Sequence, residues 1–120
     1  AKPDAGSLII SPADKELVDP HDAWADEETL ATGVKSFQGV INAPIDKMLS
    51  NWAGLRSFAP DGNLVIGPDK NNPSFFWFAG QGGYGFQTAS AASRLLSDLF
   101  LERKVSVEGE TLLALLPGRF

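Results

Sequence analysis

Residues 75–89 read FFWFAGQGGYGFQTA, and this stretch decides how the second half of the chain is interpreted. The apolar run over 75–79 predicts a buried strand, and the next six residues, GQGGYG, contain four glycines. The pattern after this loop is helical. Because glycine has no Cβ, the backbone of such a loop can approach a flat ligand closely. The helix N-terminus adds unpaired N–H groups and a partial positive charge, which suit an anionic group.

The loop also satisfies the string G-x-G-x-x-G, through Gly80, Gly82 and Gly85. A dinucleotide-binding unit further needs a βαβ arrangement and an acidic residue about 20 residues downstream. Glu102 and Glu108 lie near that distance, but no predicted strand ends at either residue. We therefore reject a complete dinucleotide-binding unit. One or two glycines would satisfy a tight strand-to-helix turn, so four glycines favour a loop that contacts a ligand bound mainly elsewhere.

The composition excludes several classes of protein. The 120 residues contain no cysteine and one histidine, His21, which excludes disulfides, thiolate metal sites and multi-histidine metal centres. The net charge of −5, with both signs mixed, argues against nucleic acid as a partner. Apolar runs fall short of the roughly 20 residues that span a bilayer, and we expect a cytoplasmic protein without membrane contact. The chain opens without an initiator methionine, which leaves open a processed end or a fragment cut from a longer chain.

Hydrophobic periodicity and turn residues predict a mixture of helices and strands. Helices are predicted over residues 27–41 with Asp26 as the N-cap, over 88–101 with Thr88 as the N-cap, and over 110–116, ended by the Pro-Gly pair at 117–118. Strands are predicted over residues 7–10, 16–18, 50–58, 64–66 and 75–79. The sequence Pro-Asp-Gly-Asn at 60–63 predicts a tight turn. Trp52 and Trp77 are expected in the core, where large aromatic side chains usually lie.

Three segments, in order, resemble the C-terminal part of a known enzyme family. They are residues 52–62 (WAGLRSFAPDG), 65–68 (VIGP) and 76–89 (FWFAGQGGYGFQTA). The family is that of the FAD-dependent D-amino acid oxidases, which includes glycine oxidase, sarcosine oxidase and D-amino acid dehydrogenase. The resemblance runs over residues 52–101, and residues 6–23 resemble the preceding substrate-domain strand and turn of bacterial members. Several motifs in the right order are more specific than one glycine string.

The resemblance implies an α+β fold that is a fragment of a two-domain FAD-dependent amine oxidoreductase. Residues 1–75 would form part of the substrate domain, with a mixed or antiparallel sheet. Residues 76–120 would supply the last strand, the flavin-contacting glycine loop and the C-terminal helix of the FAD domain. In the family, a G-x-G-x-x-G motif after the first strand holds the ADP end of FAD, and these 120 residues have no such motif after their first predicted strand. An N-terminal FAD-binding half is therefore the implied partner, and the isolated fragment is expected to be inactive.

The resemblance also implies roles for individual residues. Arg56 stands at the arginine of the family's A-G-L-R segment, which binds the substrate carboxylate, and a guanidinium can grip a carboxylate through two parallel hydrogen bonds. A surface ion pair is the alternative for Arg56. Tyr84 either lines the substrate pocket or packs with its hydroxyl at the surface. The expected flavin contacts lie in the glycine loop and at the start of the next helix: Gly82, Gly83, Tyr84, Gly85, Phe86, Gln87 and Thr88. We assign no catalytic and no metal-binding residue.

The implied function is the oxidation of a D-amino acid, glycine or an N-methyl amino acid by hydride transfer to FAD. The alternative from another class is a non-catalytic binding or interaction module that keeps this fold without a cofactor. The residues leave open which amine is the substrate, and whether the enzyme is an oxidase or a dehydrogenase. An exposed apolar patch is expected over residues 75–78 or along Leu95 and Leu99, and it would favour a homo-oligomer.

Overall fold

The computed structural model describes residues 1–42 and 44–120 and shows helices together with two small antiparallel sheets, as expected for an α+β chain. The elements, in chain order, are strands β1 (Lys2–Asp4) and β2 (Ser7–Ile9), helix α1 (Glu27–Val40), strands β3 (Val65–Pro68) and β4 (Phe76–Ala79), helices α2 (Gly85–Phe100) and α3 (Gly109–Leu113), and a 3-10 helix at Pro117–Arg119. The chain forms two compact units, Ala1–Leu55 and Arg56–Phe120. The boundary predicted between residues 75 and 76 concerns the domains of a longer enzyme and stays a prediction.

The first unit opens with a β-hairpin, in which β1 pairs antiparallel with β2 and Lys2 lies opposite Ile9. Ala5 and Gly6 form the turn, with φ of 44° and 81°, as a two-residue turn of the primed type requires. The strand predicted over 7–10 is thereby confirmed. The strands predicted over 16–18 and 50–58 are wrong, since neither segment is paired in the described sheets. A strand needs a hydrogen-bonding partner, and a short apolar run does not supply one.

Helix α1 begins at the predicted residue. The Asp26 carboxylate accepts the N–H of Thr29 at 2.7 Å, and this bond lowers the pKa of Asp26. Glu27 and Glu28 occupy the first turn, where negative charge interacts favourably with the helix dipole. A Cβ on Gly33 would lie 2.8 Å from Cγ of Pro12, so the helix approaches Pro12 too closely for a larger residue. The predicted helix and its cap are therefore confirmed, and Gly33 has a packing role.

The second unit is built on the antiparallel pair β3 and β4, with α2 packed against β3. The buried hydrophobic core consists of Ile66 from β3 and of Ala92 and Leu95 from α2. Partly buried leucines and valines surround it: Leu64, Leu96, Leu99, Val105, Val107, Leu112 and Leu115. The apolar stripe predicted along this helix is therefore the side that faces the core. The turn predicted at 60–63 is also confirmed, with the N–H of Gly62 on the carbonyl of Ala59 at 2.8 Å.

Strand β4 forms as predicted, but its predicted burial is wrong. Trp77 and Phe78 are exposed, and Phe76 is half-buried where its ring meets Phe100 edge-on at 5.3 Å. Within the described sheet β4 pairs with β3 alone, so little of its side-chain surface is covered. Trp52, also predicted for the core, is 67 % exposed because its segment forms neither a helix nor a strand. The apolar patch expected over residues 75–78 is present.

The C-terminal segment lies beside β3. Helix α3 covers Gly109–Leu113 rather than residues 110–116, and the Pro-Gly pair falls within the 3-10 helix instead of ending α3 directly. The N–H of Ile66 donates to the carbonyl of Leu115 at 2.8 Å. A Cβ on Gly67 would lie 2.9 Å from Cδ2 of Leu116. This segment is therefore held against the strand by a backbone hydrogen bond and by close packing.

The loop from β3 to β4 is organised by the carboxylate of Asp69. Its Oδ1 accepts the N–H groups of Asn71 and Asn72 at 2.8 and 2.9 Å, and its Oδ2 accepts the indole N–H of Trp77 at 2.9 Å. These bonds, that from the Trp77 indole foremost, lower the pKa of Asp69. One carboxylate thus joins the loop to strand β4.

Replacing Asp69 with asparagine is expected to lower the midpoint of thermal unfolding at neutral pH and to flatten its decrease in acid. Because the folded-state pKa of Asp69 is depressed, its stabilisation is complete above the ordinary carboxyl pKa of 3.8 and is lost as the pH falls below that value. Circular dichroism melts from neutral pH down to ~pH 2 measure the difference. Glu102→Gln, a change at an exposed carboxylate after α2, is the control. Identical acid profiles for the two variants would contradict this role of Asp69.

Candidate functional site

The glycine loop joins β4 to α2, and its backbone enters the left-handed region at two positions. Gly80 has a φ of 72° and Gly82 a φ of 50°, a conformation that residues with a Cβ adopt only with strain. Gly80 is buried, and a Cβ on it would lie 3.2 Å from the carbonyl oxygen of Asn63. The turn between β4 and α2 therefore requires glycine at both positions.

The segment that begins at Arg56 lies directly against this loop. The N–H of Gly82 donates to the carbonyl of Ser57 at 2.9 Å. A Cβ on Gly82 would enter the ring of Phe58, at 2.8 Å from Cδ1, and a Cβ on Gly83 would lie 2.9 Å from Nη1 of Arg56. The structure therefore brings the predicted carboxylate-binding arginine together with the predicted flavin-contacting glycines.

The Arg56 guanidinium lies close to the ring of Phe58. Its Cζ atom is 5.3 Å from the centroid of the Phe58 ring, within the range of a cation–π interaction. Arg56 is exposed and Phe58 is half-buried. A planar guanidinium carries five N–H donors in a fork whose geometry matches that of a carboxylate.

Packing explains the glycines of the loop without a ligand. Phe58 occupies the space beside Gly82, Arg56 the space beside Gly83, and the side chain of Gln81 lies 3.2 Å from where a Cβ on Gly85 would be. The four glycines therefore do not by themselves indicate a ligand. The N-terminus of the helix that follows the loop is the remaining feature that suits a ligand.

Helix α2 begins at Gly85, nearly a turn before the predicted start, and the predicted cap at Thr88 is wrong. Thr88 lies inside the helix, and its hydroxyl donates to the carbonyl of Tyr84 at 2.9 Å. Tyr84 occupies the N-cap position, and its side chain makes no capping hydrogen bond within the described residues. The sequence pattern missed this turn because Gly85 and Phe86 have low helix propensity, whereas threonine is a common N-cap.

Because α2 begins at Gly85, three of the predicted flavin contacts lie inside its first turn instead of in the loop before it. Gly85, Phe86 and Gln87 now occupy the first three helical positions, whose N–H groups have no acceptor within the helix. The side chain of Phe86 is 99 % exposed. The first turn of α2 contains no acidic residue, so no carboxylate within it neutralises the partial positive charge of the helix end. Such a helix end favours a group that accepts hydrogen bonds and carries negative charge.

Tyr84 connects the loop to this helix end. Its N–H donates to the carbonyl of Gln81 at 2.9 Å, while the Gln81 side chain donates to the carbonyl of Phe78 at 3.1 Å. The Tyr84 side chain is exposed beside the first turn of α2. Both the pocket and the surface alternatives for this side chain therefore stay open.

Sequence reasoning missed one ion pair close to the loop. Nε of Arg119 donates to Oδ2 of Asp61 at 2.7 Å, and Nη2 donates to Oδ1 at 3.1 Å. This bidentate pair holds the pKa of Asp61 far below its usual range. Asp61 was expected only to stabilise its turn. The two residues lie 58 positions apart, and no local pattern links them.

Other candidate features show no site in the part of the chain that the structure describes. The residues described contain no group of three or more His, Cys, Asp or Glu side chains that could hold a metal ion. His21 is exposed in a loop, with Nδ1 2.7 Å from the carbonyl oxygen of Asp19. None of the described helices combines the length and the apolar composition needed to cross a bilayer.

The fold and the loop agree with one class of enzyme, the FAD-dependent oxidoreductases. The family described as "DAO: FAD dependent oxidoreductase" matches residues 1–99, which is most of the chain. The chain therefore belongs to this family, and the resemblance identified from its motifs is confirmed. Membership implies FAD as the cofactor.

The similar curated proteins include three bacterial D-amino acid dehydrogenases. The protein from Sinorhizobium medicae (strain WSM419) is 36% identical over 63 residues, which cover 52% of this chain and 15% of the relative. The protein from Azorhizobium caulinodans is 34% identical over 87 residues, or 71% of this chain and 20% of the relative. The protein from Xanthobacter autotrophicus is 37% identical over 57 residues, which cover 48% of this chain and 13% of the relative. The matched region thus spans 20% or less of each relative's length.

Proposed function

We propose that this chain is the C-terminal portion of a flavin-dependent oxidoreductase that oxidises a D-amino acid, glycine or an N-methyl amino acid. The observation that carries the proposal is the contact between the Arg56 segment and the glycine loop, fixed by the Gly82–Ser57 hydrogen bond of 2.9 Å. A cation suited to a carboxylate and a helix end suited to a flavin are thereby close together. The family and the names of its dehydrogenase members support FAD as the cofactor and an amino acid as the substrate.

Arg56 binds and orients the substrate in this proposal. D-amino acids, glycine and N-methyl amino acids share a carboxylate, and the guanidinium stays charged at physiological pH. The ring of Phe58 and the bonded carbonyl of Ser57 restrict the conformations of the arginine segment. Two hydrogen bonds to the carboxylate would fix the orientation of the substrate, so that its α carbon is the atom presented for reaction.

The first turn of α2 holds the cofactor. The N–H groups of Gly85, Phe86 and Gln87 would donate to acceptor atoms of the flavin ring, and the positive helix end would favour negative charge there. When bound, FAD supplies the acceptor for the hydride. The other proposed contacts lie in the same loop and turn: Gly82, Gly83, Tyr84 and Thr88.

The proposal assigns residues 1–75 to a substrate domain and residues 76–120 to an FAD domain of a longer enzyme. The ADP end of FAD would then be bound by a partner half outside these 120 residues, and the chain by itself is expected to be inactive. The exposed aromatic side chains of Phe75, Trp77 and Phe78 suit contact with such a partner, because burying them would remove apolar surface from water.

The visible absorption spectrum of the protein produced from its whole coding region tests this proposal. The spectrum is recorded without oxygen, before and after addition of D-alanine, glycine or sarcosine. A yellow protein that one of these compounds bleaches would support a flavin amine oxidoreductase and would identify its substrate class. A yellow protein that none of them bleaches would support the cofactor and contradict these substrates. A colourless protein that takes up no added FAD would favour the non-catalytic module.

Replacing Arg56 with alanine in the full-length protein is expected to raise the apparent Kd of the bleaching substrate by about 10- to 100-fold, since a hydrogen-bonded charge pair is lost. Titration of the flavin absorbance measures this Kd. Arg56→Lys should recover only part of the affinity, because lysine lacks the planar fork. Arg94→Ala, the same change at an exposed arginine on α2, is the control. Equal affinities for Arg56→Ala and Arg94→Ala would exclude the proposed role of Arg56.

A further inference from the structure

The Arg119 side chain fastens the C-terminal end of the chain to the turn at residues 59–63. Its Nε and Nη2 atoms donate to the two carboxylate oxygens of Asp61 at 2.7 and 3.1 Å. Nη2 also lies 3.4 Å from the carbonyl oxygen of Asn63, and Nη1 donates to the carbonyl of Leu116 at 3.0 Å. The Arg119 side chain is 13% exposed and that of Asp61 is 34% exposed, so the arginine is the more shielded partner of this ion pair.

The chain segment just before Arg119 is itself held against strand β3. These residues are tied to β3 through the hydrogen bond from Ile66 to Leu115 and the packing of Leu116 against Gly67. Ile66 itself belongs to the buried core of the second unit and is only 1% exposed. The ion pair therefore connects the turn to the core of this unit rather than to a loose chain end.

The turn at residues 59–63 adjoins both parts of the candidate site, namely the segment that begins at Arg56 and the glycine loop. The carbonyl oxygen of Asn63 lies 3.2 Å, and the backbone nitrogen of Ala59 3.6 Å, from where a Cβ on Gly80 would be. Ala59 also follows Phe58 directly in the chain, and Phe58 lies against Gly82. A displacement of the turn would therefore shift the arginine segment and the start of the glycine loop together.

We propose that Arg119 is a positioning residue, which acts through Asp61 to fix the Arg56 segment against the glycine loop. This inference rests on the proposed function, since it assigns Arg119 to the support of the carboxylate-binding arginine. Arg119 does not contact the substrate. It limits the movement of the turn on which the orientation of Arg56 depends.

Two conservative variants separate positioning from general stability. Arg119→Lys keeps the charge and loses the bidentate fork, whereas Asp61→Asn keeps the shape and loses the charge. In the full-length protein, each is expected to raise the apparent Kd of the bleaching substrate by up to ~100-fold, with a smaller change in the limiting rate of flavin bleaching. The double variant should be no worse than the poorer single variant, because both disrupt one interaction. Arg94→Lys on α2 is the matched control.

Limited trypsin digestion of the ligand-free protein provides a readout that is independent of activity. Trypsin cleaves after arginine, and Arg56 and Arg103 are both exposed. Positioning predicts faster cleavage after Arg56 in Arg119→Lys and Asp61→Asn, with the rate after Arg103 unchanged. A purely structural role predicts that both sites are cleaved faster in proportion.

The outcomes distinguish this inference from the proposed function. Wild-type protein that no amino acid bleaches would overturn the proposed function and this inference with it. Wild-type protein that is bleached, with variants of unchanged Kd or of proportional cleavage at both sites, would overturn the positioning role alone. If Arg119→Lys does not fold, the milder Asp61→Asn decides between these results by the same two measurements.

Discussion

Replacing Gly82 with valine is expected to destabilise the second unit by several kcal/mol. The left-handed backbone at a φ of 50° contributes about 1–3 kcal/mol of strain for a residue with a Cβ. The new side chain would also enter the ring of Phe58, and overpacking of this kind costs about 1–3 kcal/mol. Because the loop backbone is bonded to Ser57, the strain cannot be relieved by a movement of the loop alone.

Urea unfolding, followed by circular dichroism, measures the effect of Gly82→Val. Gly109→Val is the matched control, because a Cβ at Gly109 meets nothing within 4 Å and its backbone is not left-handed. Combining Gly82→Ala with Phe58→Ala should relieve the steric part and leave the backbone strain. Equal free energies of unfolding for Gly82→Val and Gly109→Val would show that the loop tolerates a Cβ.

In the full-length protein, Gly82→Val should also lower the FAD content after purification, since the displaced loop leads directly into the first turn of α2. Gly109→Val should retain its flavin. This part of the expectation depends on the proposed function, whereas the change in stability follows from the fold. A variant that is destabilised yet keeps its full flavin content would move the cofactor contact away from this loop.

The sequence correctly predicted the elements whose structure is determined by interactions between residues close together in the chain. Asp26 and the two glutamates after it specify the start of α1, because a side-chain acceptor and first-turn negative charge act within one turn of the helix. The Pro-Asp-Gly-Asn turn at 60–63 formed for the same kind of reason, since its residues favour the required backbone angles. The α+β composition followed from these segments.

The remaining errors arose where contacts distant in the sequence decide the outcome. Thr88 is a good cap by composition, yet the bond from Tyr84 to Gln81 and the packing around Gly82 start the helix at Gly85. The Arg119–Asp61 pair had no local pattern at all. Strand β4 was expected to be buried because its residues are apolar, but burial depends on which surfaces cover a strand and not on its own composition.

The residues of the candidate site come from separate segments of the sequence. Only the family resemblance predicted that these segments belong to one site. Neither spacing nor composition indicates that Arg56 lies beside Gly83, since the intervening chain forms a turn, a hairpin and a loop. The family resemblance linked both segments to one ligand-binding region. The structure shows that the two segments are in contact, and their binding roles stay predictions. The physical argument from glycine count, in contrast, was weakened by packing within the protein itself.

Replacing Leu95 with alanine is expected to lower the free energy of unfolding of the second unit by about 2–5 kcal/mol, the cost of a buried leucine truncation. Leu95 is 3 % exposed and forms the buried hydrophobic core with Ile66 and Ala92. Because domains of modest size are stable by only about 5–15 kcal/mol, this loss would remove a large share of the total.

The matched control is Leu113→Ala, which makes the same chemical change on α3 at a side chain that is 66% exposed. Its expected cost is within about 0.5 kcal/mol, as for surface substitutions in general. Urea unfolding of the two variants compares them at equal loss of side-chain volume and equal change in helix propensity. A large difference would locate the stability of this unit in the contact between α2, which follows the glycine loop, and β3, which pairs with the strand β4 that precedes the loop. Equal values would mean that the α2–β3 core contributes little, and the loop would then depend on the Asp61–Arg119 pair and the Gly82–Ser57 hydrogen bond for its position.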